Sequence, residues 1–357
     1  MTHQEISHHR LVSQKLYKTT PSSPQEIVHH MGAMQAQDYA MAKWAIGSRC
    51  DANEIEIEEA VNTAKIIRTH ILRPTWHFVS SEDIYWMLDV SGPQVQKMTI
   101  SSARQYGYDI KKLEQTNSKI EKLLAGNNHL TREEIMRELD IKKSSSQDFL
   151  GAAIMMHAEL GGLVCNGKMK GKQITYALLE ERVKRPKNKL TKEEGLAKLA
   201  KRYFESHSPA TLLDFSWWSG FSPTICALTI NAIKLQLSFT EIENKTYYYV
   251  NQTFIDNNLN KHIHFLPAFD EILISYKTRE ASILLEHQSK AFTNNGIFKP
   301  IILEDGKVIG TWKRTIKKDH AKIETQFFNE TESNKKAILF EGIKAFENYL
   351  GTKIIIE

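Results

Sequence analysis

TREEIMRELDIKKSSSQDFLGAAIMMHAELGGLVCNGKMKGKQITYAL, residues 131–178, is the stretch that decides the fold class. Thr131 and Glu134 have the spacing of a reciprocal capping box in front of Ile135, Met136 and Leu139, so a short helix is expected there. Residues 141–147 read as a mostly polar turn. A longer helix should follow, with Phe149, Ala152, Ala153, Met156 and Leu160 as its buried stripe and Gly161-Gly162 as its stop. Leu163 to Cys165 and Gln173 to Leu178 have strand character on either side of the polar, glycine-bearing turn Asn166 to Lys172. Helix, turn, helix and hairpin in that order describe a winged helix. The same periodicities also permit an unrelated small α+β domain.

Toward the N-terminus, Ser23-Pro24-Gln25-Glu26 is another capping box, opening a helix through His30 that Gly32 ends. A helix from Asp38 to Arg49 would place Met41, Trp44, Ala45 and Ser48 on one face. Thr75 to Val79 is rich in strand formers, and Ser80 with Asp83 should cap the helix that follows. Toward the C-terminus, Glu181 to Lys192 is a charged connector. Thr191 with Glu194, Ser208-Pro209 and Ser222-Pro223 then open three closely spaced helices. Beyond residue 233 strands are expected at Leu235–Phe239, Thr246–Val250, Ile272–Tyr276, Lys299–Leu303 and Val308–Arg314, the last two flanking a hairpin turn at 304–307. A final helix, Asn334 to Tyr349, should stop at Gly351. The expected fold is α+β: three tandem winged-helix domains, 1–125, 126–186 and 187–357, the last carrying an additional C-terminal β-rich portion.

The 357 residues are 41% apolar and 25% charged, enough to bury a core and too apolar for general disorder. Forty-seven Lys and Arg against 42 Asp and Glu give a formal charge of +5, a mild bias toward a polyanionic partner. The sequence has no secretory leader and no long apolar run, so a cytoplasmic, nucleoid-associated monomer with no membrane contact is expected. Cys50, Cys165 and Cys226 are too widely separated for a local metal or iron–sulfur motif, and no nucleotide-binding glycine run is present. No metal and no cofactor are therefore expected.

Positive charge collects in four places: Lys111, Lys112, Lys119 and Lys122; Lys168, Lys170 and Lys172 in the expected wing; Arg182 to Lys192; and Lys313, Arg314, Lys317, Lys318 and Lys322. Lysines on wings and hairpins can lie along phosphate oxygens while a helix fills a groove, which makes double-stranded DNA the expected partner. Each cluster alone is equally a solvated lysine face.

Met31-Gly32-Ala33-Met34-Gln35-Ala36-Gln37-Asp38-Tyr39 is the most unusual short stretch. Two glutamines two residues apart point the same way on an extended backbone, and two amides can hold one water. A glutamine cannot serve as a general base, so the pair suits chemistry in which water needs placing more than deprotonating. Breaking the bond between a sugar and an already cationic, alkylated base is such a reaction. By itself a Gln-x-Gln triplet is a frequent coincidence.

Across nearly its whole length the sequence resembles the tandem winged-helix DNA glycosylases, the AlkZ-like enzymes of crosslink and bulky-adduct repair. The segments that carry the resemblance are Arg10-Leu11 with Gln14-Lys15-Leu16, Met31 to Tyr39, Leu72 to Val79, Leu266 to Glu271 with Tyr276-Lys277, and Gly306 to Trp312. The resemblance implies winged-helix units around a duplex and hydrolytic excision of bulky or cationic N7-alkylpurines, crosslinked ones possible. One branch of the family carries Gln-x-Gln at its catalytic centre, the other an aspartate in place of the second glutamine. Gln35 and Gln37 match the first, and so take the water-positioning role; Asp38 falls one place too late and reads as a helix cap. Arg73 is then a phosphate contact and His77 either a core residue or a substrate contact. The 304–307 hairpin, with Lys313 and Arg314 near its base, is the expected groove probe. No lysine lies within the Gln-Ala-Gln segment to form a Schiff base, so excision without a lyase step is expected, Lys43 being the residue that would overturn this. The competing reading is a non-catalytic winged-helix DNA-binding protein or transcription regulator.

Overall fold

Local signals are strongest between residues 131 and 178, and among the described residues there the expected order of helix, helix and hairpin is found. Thr131 Oγ1 accepts from the Glu134 amide at 3.2 Å while the Glu134 carboxylate accepts from the Thr131 amide at 2.7 Å. This box opens the helix Arg132–Glu138. The helix Ser145–Leu160 and the hairpin Val164–Asn166 with Thr175–Leu178 follow. Val164 sits opposite Leu178 and Asn166 opposite Tyr176, and the short strand Leu130–Thr131 pairs on the far side of Thr175–Leu178. The three-stranded order is thus first, third, second.

The computed structural model describes residues 1–17, 22–141, 145–250, 262–329 and 336–356. Residues 142–144 of the expected polar turn, and 334–335 at the expected start of the last helix, lie outside the described residues. The chain forms two compact units, Met1–Glu58 with Ala197–Glu357, and Glu59–Leu196. Helices and sheets are mixed in both, an α+β protein. Among the described residues no helix is long and apolar enough to cross a membrane.

In the unit 59–196, the helix Ile84–Arg104 packs beside Ser145–Leu160, which also meets the helix Ile110–Leu124. The buried face of Ser145–Leu160 is only partly the one expected. Ala153 and Leu160 are buried and Ala152 and Met156 half-buried, but Phe149 is 68% exposed, and Leu150, Ala153, Ile154, Met155 and Ala158 form the core with Leu113, Ile120, Leu124 and Ile135. A helix covered on two sides has apolar residues nearly all round, and its periodicity loses its phase. The hairpin of Ile66–Ile71 with Arg73–Ser80 turns at Leu72, and its first strand is buried throughout. The following helix starts four residues after Ser80, with Asp83 rather than Ser80 at its cap.

In the other unit the helix Lys192–His207 leads to the strand Ala210–Thr211, the helices Leu212–Ser219 and Pro223–Ala232, and the hairpin Ser238–Ile242 with Lys245–Tyr249. The sheet order is again first, third, second. A five-stranded sheet follows, Ile263–Leu266, Ile301–Glu304, Lys307–Ile316, Ala321–Phe327 and Ile354–Ile356, antiparallel except for the last pair. Trp312 and Phe265 on this sheet pack with Phe346 of the helix Lys336–Leu350 and with Trp44. Ile272–Tyr276, expected as a strand, is instead the helical turn Glu271–Ile274, because the Asp270 carboxylate caps it by accepting from the Ile272 amide at 2.9 Å.

Candidate active site

The helix Pro24–Met31 ends at Gly32, whose φ of 77° and ψ of −62° lie where side chains are strained. A Cβ at Gly32 would also come within 3.0 Å of Arg202 Cγ. This turn delivers the chain into the buried strand Ala33–Gln35. Gly32→Ala is therefore expected to lower stability by about 1–3 kcal/mol. Urea unfolding reads this directly, and an unshifted midpoint would show that the turn adapts.

The strand stops at Gln35. Gln37 stands in the bend before Asp38, so the two glutamines are not two positions of one extended strand. Gln35 is 7% exposed, and its Oε1 is buried with no hydrogen-bond partner. Gln37 is exposed. The bend exists because Asp38 caps the helix Tyr39–Gly47, its carboxylate accepting from the Met41 amide at 3.1 Å. One amide thus lies inside the protein and the other at its surface.

Beneath Gln35 is a buried polar cluster. The Gln35 amide donates to Glu271 Oε1 at 2.6 Å, and the Ser275 hydroxyl donates to Glu271 Oε2. His207 Nε2 lies 3.9 Å from the same carboxylate. Burial pushes the Glu271 carboxyl up; the His207 contact, the Ser275 hydroxyl and the Gln35 amide more than offset this and hold it at about 2. Burial pushes His207 down, against the upward pull of Glu271. Gln14 Nε2 donates to the Glu271 carbonyl at 3.2 Å and to the Tyr276 hydroxyl at 2.9 Å. Arg49 grips Asp270 through both terminal nitrogens, at 2.8 and 2.9 Å, and donates to Gln14 Oε1 at 3.0 Å. Arg10 lies 3.6 Å over the Tyr276 ring and 3.8 Å from Asp214. Arg10, Gln14, Asp270, Glu271 and Tyr276 come from segments that carry the family resemblance. In the fold they become one support for the Gln35 backbone.

Lys43 Nζ is engaged by Glu58 at 2.6 Å and Glu54 at 3.0 Å, which directs its hydrogens at carboxylates rather than at a substrate. Trp44 is core, its indole donating to the Phe265 carbonyl at 2.6 Å. Of the adjacent pair, Trp218 is buried and Trp217 is 38% exposed. Lys277 Nζ stands 4.9 Å from the Trp217 ring centre, and the Trp217 indole donates to the Ile274 carbonyl at 2.8 Å. Among the described residues no group of three or more His, Cys, Asp or Glu is placed to hold a metal.

In the unit 59–196, Arg73 is half-buried at the start of its strand. His77 is 1% exposed, with Nδ1 2.9 Å from the Thr75 carbonyl. Its ring is therefore enclosed in the protein and is a core residue rather than an exposed DNA contact. Lys168, Lys170 and Lys172 are exposed on the hairpin between Asn166 and Thr175, although Lys170 pairs with Glu134 at 2.6 Å.

In the other unit Lys313 and Arg314 lie on the strand that leaves the 304–307 turn, just past the pair Ile301 and Thr311, as expected, and Lys317 and Lys318 follow at a second turn. The strand Lys307–Ile316 continues past Arg314 to a turn in which the Lys317 amide donates to the His320 carbonyl at 2.9 Å. Lys317 and Lys318 are exposed in this turn and Lys313 on the strand leading to it, while Arg314 lies back over Phe346 at 5.7 Å. The 304–307 turn is not a free probe. A Cβ on Gly306 would lie 2.8 Å from Ser7 Cβ, and Lys307 Nζ donates to the Ala281 carbonyl at 2.6 Å. The projecting basic turn is 317–320.

Sequence reasoning missed Glu271 and His207. Glu271 lies 236 residues from Gln35 in sequence, and its only signal was its place in a resembling segment.

The family model for "DNA glycosylase AlkZ-like" proteins matches residues 28–346 of this chain. An interstrand DNA cross-link repair glycosylase of Streptomyces sahachiroi is 21% identical over 318 residues, 85% of each chain. The solved structure of the Streptomyces sahachiroi DNA glycosylase AlkZ superposes with a TM-score of 0.82 at 19% identity, covering all of both chains. That degree of likeness establishes a shared fold.

Proposed function

This chain belongs to the AlkZ-like DNA glycosylase family, and from that premise we propose that it hydrolyses the N-glycosidic bond of bulky or cationic N7-alkylpurines in duplex DNA, using a water held by Gln35 and Gln37. The observation that carries this reading is the buried Oε1 of Gln35 with no partner. A buried carbonyl oxygen left without a donor costs about 1–3 kcal/mol, and such a group calls for a reason beyond stability. A water or substrate group would supply the missing donor. In the reaction the C1′–N9 bond breaks and its electron pair goes to the purine, cancelling the alkyl-induced charge. Water forms the new C1′–O bond and gives its proton to solvent. Base departure leads, so the amides need only hold the nucleophile. The name of the Streptomyces sahachiroi relative supports including interstrand crosslinks among the substrates.

DNA would be held by winged-helix units. Two modules run helix, strand, two helices, hairpin with sheet order first, third, second, an order that supports reading them as winged helices. The chain order from Pro24 to Ser80 is the same. The three proposed modules span 1–125, 126–186 and 187–357. Phosphate contacts are assigned to Arg73, to Lys168, Lys170 and Lys172, and to Lys313, Arg314, Lys317 and Lys318. The protein acts on chromosomal DNA as a monomer.

The test incubates the protein with duplexes bearing N7-methylguanine, a bulky N7 adduct or an interstrand crosslink, and reads base release as alkali-labile sites. Release from at least one is expected; binding without release on all three would leave a passive DNA-binding protein. Affinity should fall with salt, and replacing Lys317 and Lys318 by Glu should flatten the log–log slope by about two. An unchanged slope would remove the 317–320 turn from the interface.

A further inference from the structure

Two neutral amides can orient a water, but neither offers charge to offset the positive charge that builds on a sugar losing its base. One carboxylate touches the backbone of this site. Glu271 Oε1 accepts from the Gln35 amide at 2.6 Å, and the residue is 1% exposed.

The charges packed around it are not balanced at Glu271 itself. Arg49 is matched by Asp270 at 2.8 Å, and Arg10 faces Asp214 at 3.8 Å. Among the described residues no lysine or arginine lies within ion-pair distance of Glu271. The remaining partner is His207, 3.9 Å away, whose charged form is disfavoured by burial and favoured by Glu271. Ser275 donates a hydroxyl hydrogen bond to it, Gln14 Nε2 donates to the Glu271 carbonyl, and the Tyr276 hydroxyl donates to the His207 carbonyl. Glu271 is thus a buried carboxylate kept ionised by a histidine and hydrogen bonds rather than by a lysine or arginine, and perturbed buried groups of this kind concentrate at functional sites.

We propose that Glu271 is a positioning residue for base excision, its negative charge acting through the Gln35 peptide to stabilise the cationic sugar while it fixes the strand that presents the Gln35 amide. The inference rests on the glycosylase reading above. Bond lengths place the Glu271 charge within roughly 10 Å of whatever the Gln35 side chain touches. At that range, and in a poorly screened interior, removing one charge is expected to slow excision by roughly tenfold to fiftyfold.

Two variants separate charge from shape. Glu271→Gln keeps the length and an oxygen for the Gln35 amide but loses the charge. Glu271→Asp keeps the charge and shortens the reach. Single-turnover base release from N7-methylguanine duplex, measured per bound complex, is compared with wild type, alongside duplex affinity. The expected order is wild type, then Glu271→Asp, then Glu271→Gln, with affinity changed less than threefold. If Glu271→Gln stays within threefold of wild type, or releases base faster than Glu271→Asp, the residue is a structural acceptor and the proposal is overturned. Should Glu271→Gln fail to fold, Glu271→Asp is compared with Glu271→Asn, which has the same length without the charge: a release rate at least threefold higher for Glu271→Asp supports the charge, and equal rates overturn the proposal. Failure of wild type itself to release any base would instead refute the glycosylase reading.

Discussion

Replacing Gln35 by Met is expected to slow base release by about 100- to 1000-fold while leaving the thermal midpoint within a few degrees of wild type. The two halves of this expectation have one source. Gln35 Oε1 is buried and makes no hydrogen bond, so the fold gains nothing from the amide and loses nothing when an apolar side chain of similar length takes its place. The Gln35 contact that does stabilise the fold, its backbone amide on Glu271, survives the substitution. An amide kept for chemistry should therefore cost activity and not stability when removed. Gln37→Ala should reduce the rate less, by about 10- to 100-fold, because the exposed side chain in the bend competes with bulk water for its role. Single-turnover kinetics and a melting curve on the same preparations check both. Rates within threefold of wild type in both variants would leave the family assignment standing and remove these glutamines as the site. A large fall in the melting midpoint of Gln35→Met would mark it as structural.

What could be read in advance divides by the distance over which the signal acts. The module at 131–178 was legible because its capping box, glycine stop and hairpin are local and agree with one another. The five-residue, largely apolar run at Ile272–Tyr276 was not, since a short run fits strand and helix equally. Asp270 settles it by capping Ile272, and it is held in place by an arginine 221 residues away in sequence. The Ser145–Leu160 helix was found but its buried face was read only in part, with Ala153 and Leu160 inside and Phe149 outside, because two neighbouring helices cover it. At the site, Gln35 and Gln37 stood out through resemblance. Nothing in spacing or periodicity tied Gln35 to Glu271, or showed that Gly306 is packed against Ser7 while the 317–320 turn projects.

Arg49→Met is expected to cost about 3–5 kcal/mol, lowering the thermal midpoint by on the order of 10 °C. Both charged groups of the pair are enclosed, and the arginine uses all its nitrogens: Nε on the Gln14 carbonyl at 3.0 Å, Nη1 on the Ala45 carbonyl at 2.9 Å, and both terminal nitrogens on Asp270. Removing the guanidinium leaves the Asp270 carboxylate buried and unmatched, which is the costly way to break such a pair. The reciprocal change, Asp270→Leu, should cost a comparable amount, since it strands Arg49 and uncaps Glu271–Ile274 as well. Combining the two should return part of the loss, because an apolar pair of similar volume no longer buries a lone charge. The double variant should nevertheless stay slow in base release. Asp270 fixes the first turn of the helix that carries Glu271, and without its cap the carboxylate no longer meets the Gln35 amide at 2.6 Å. Recovered stability with unrecovered rate would place this ion pair beneath the chemistry as well as beneath the fold. If the double variant regains both, the pair serves the fold alone, and if the single variants lose less than about 1 kcal/mol, its enclosure from water is incomplete.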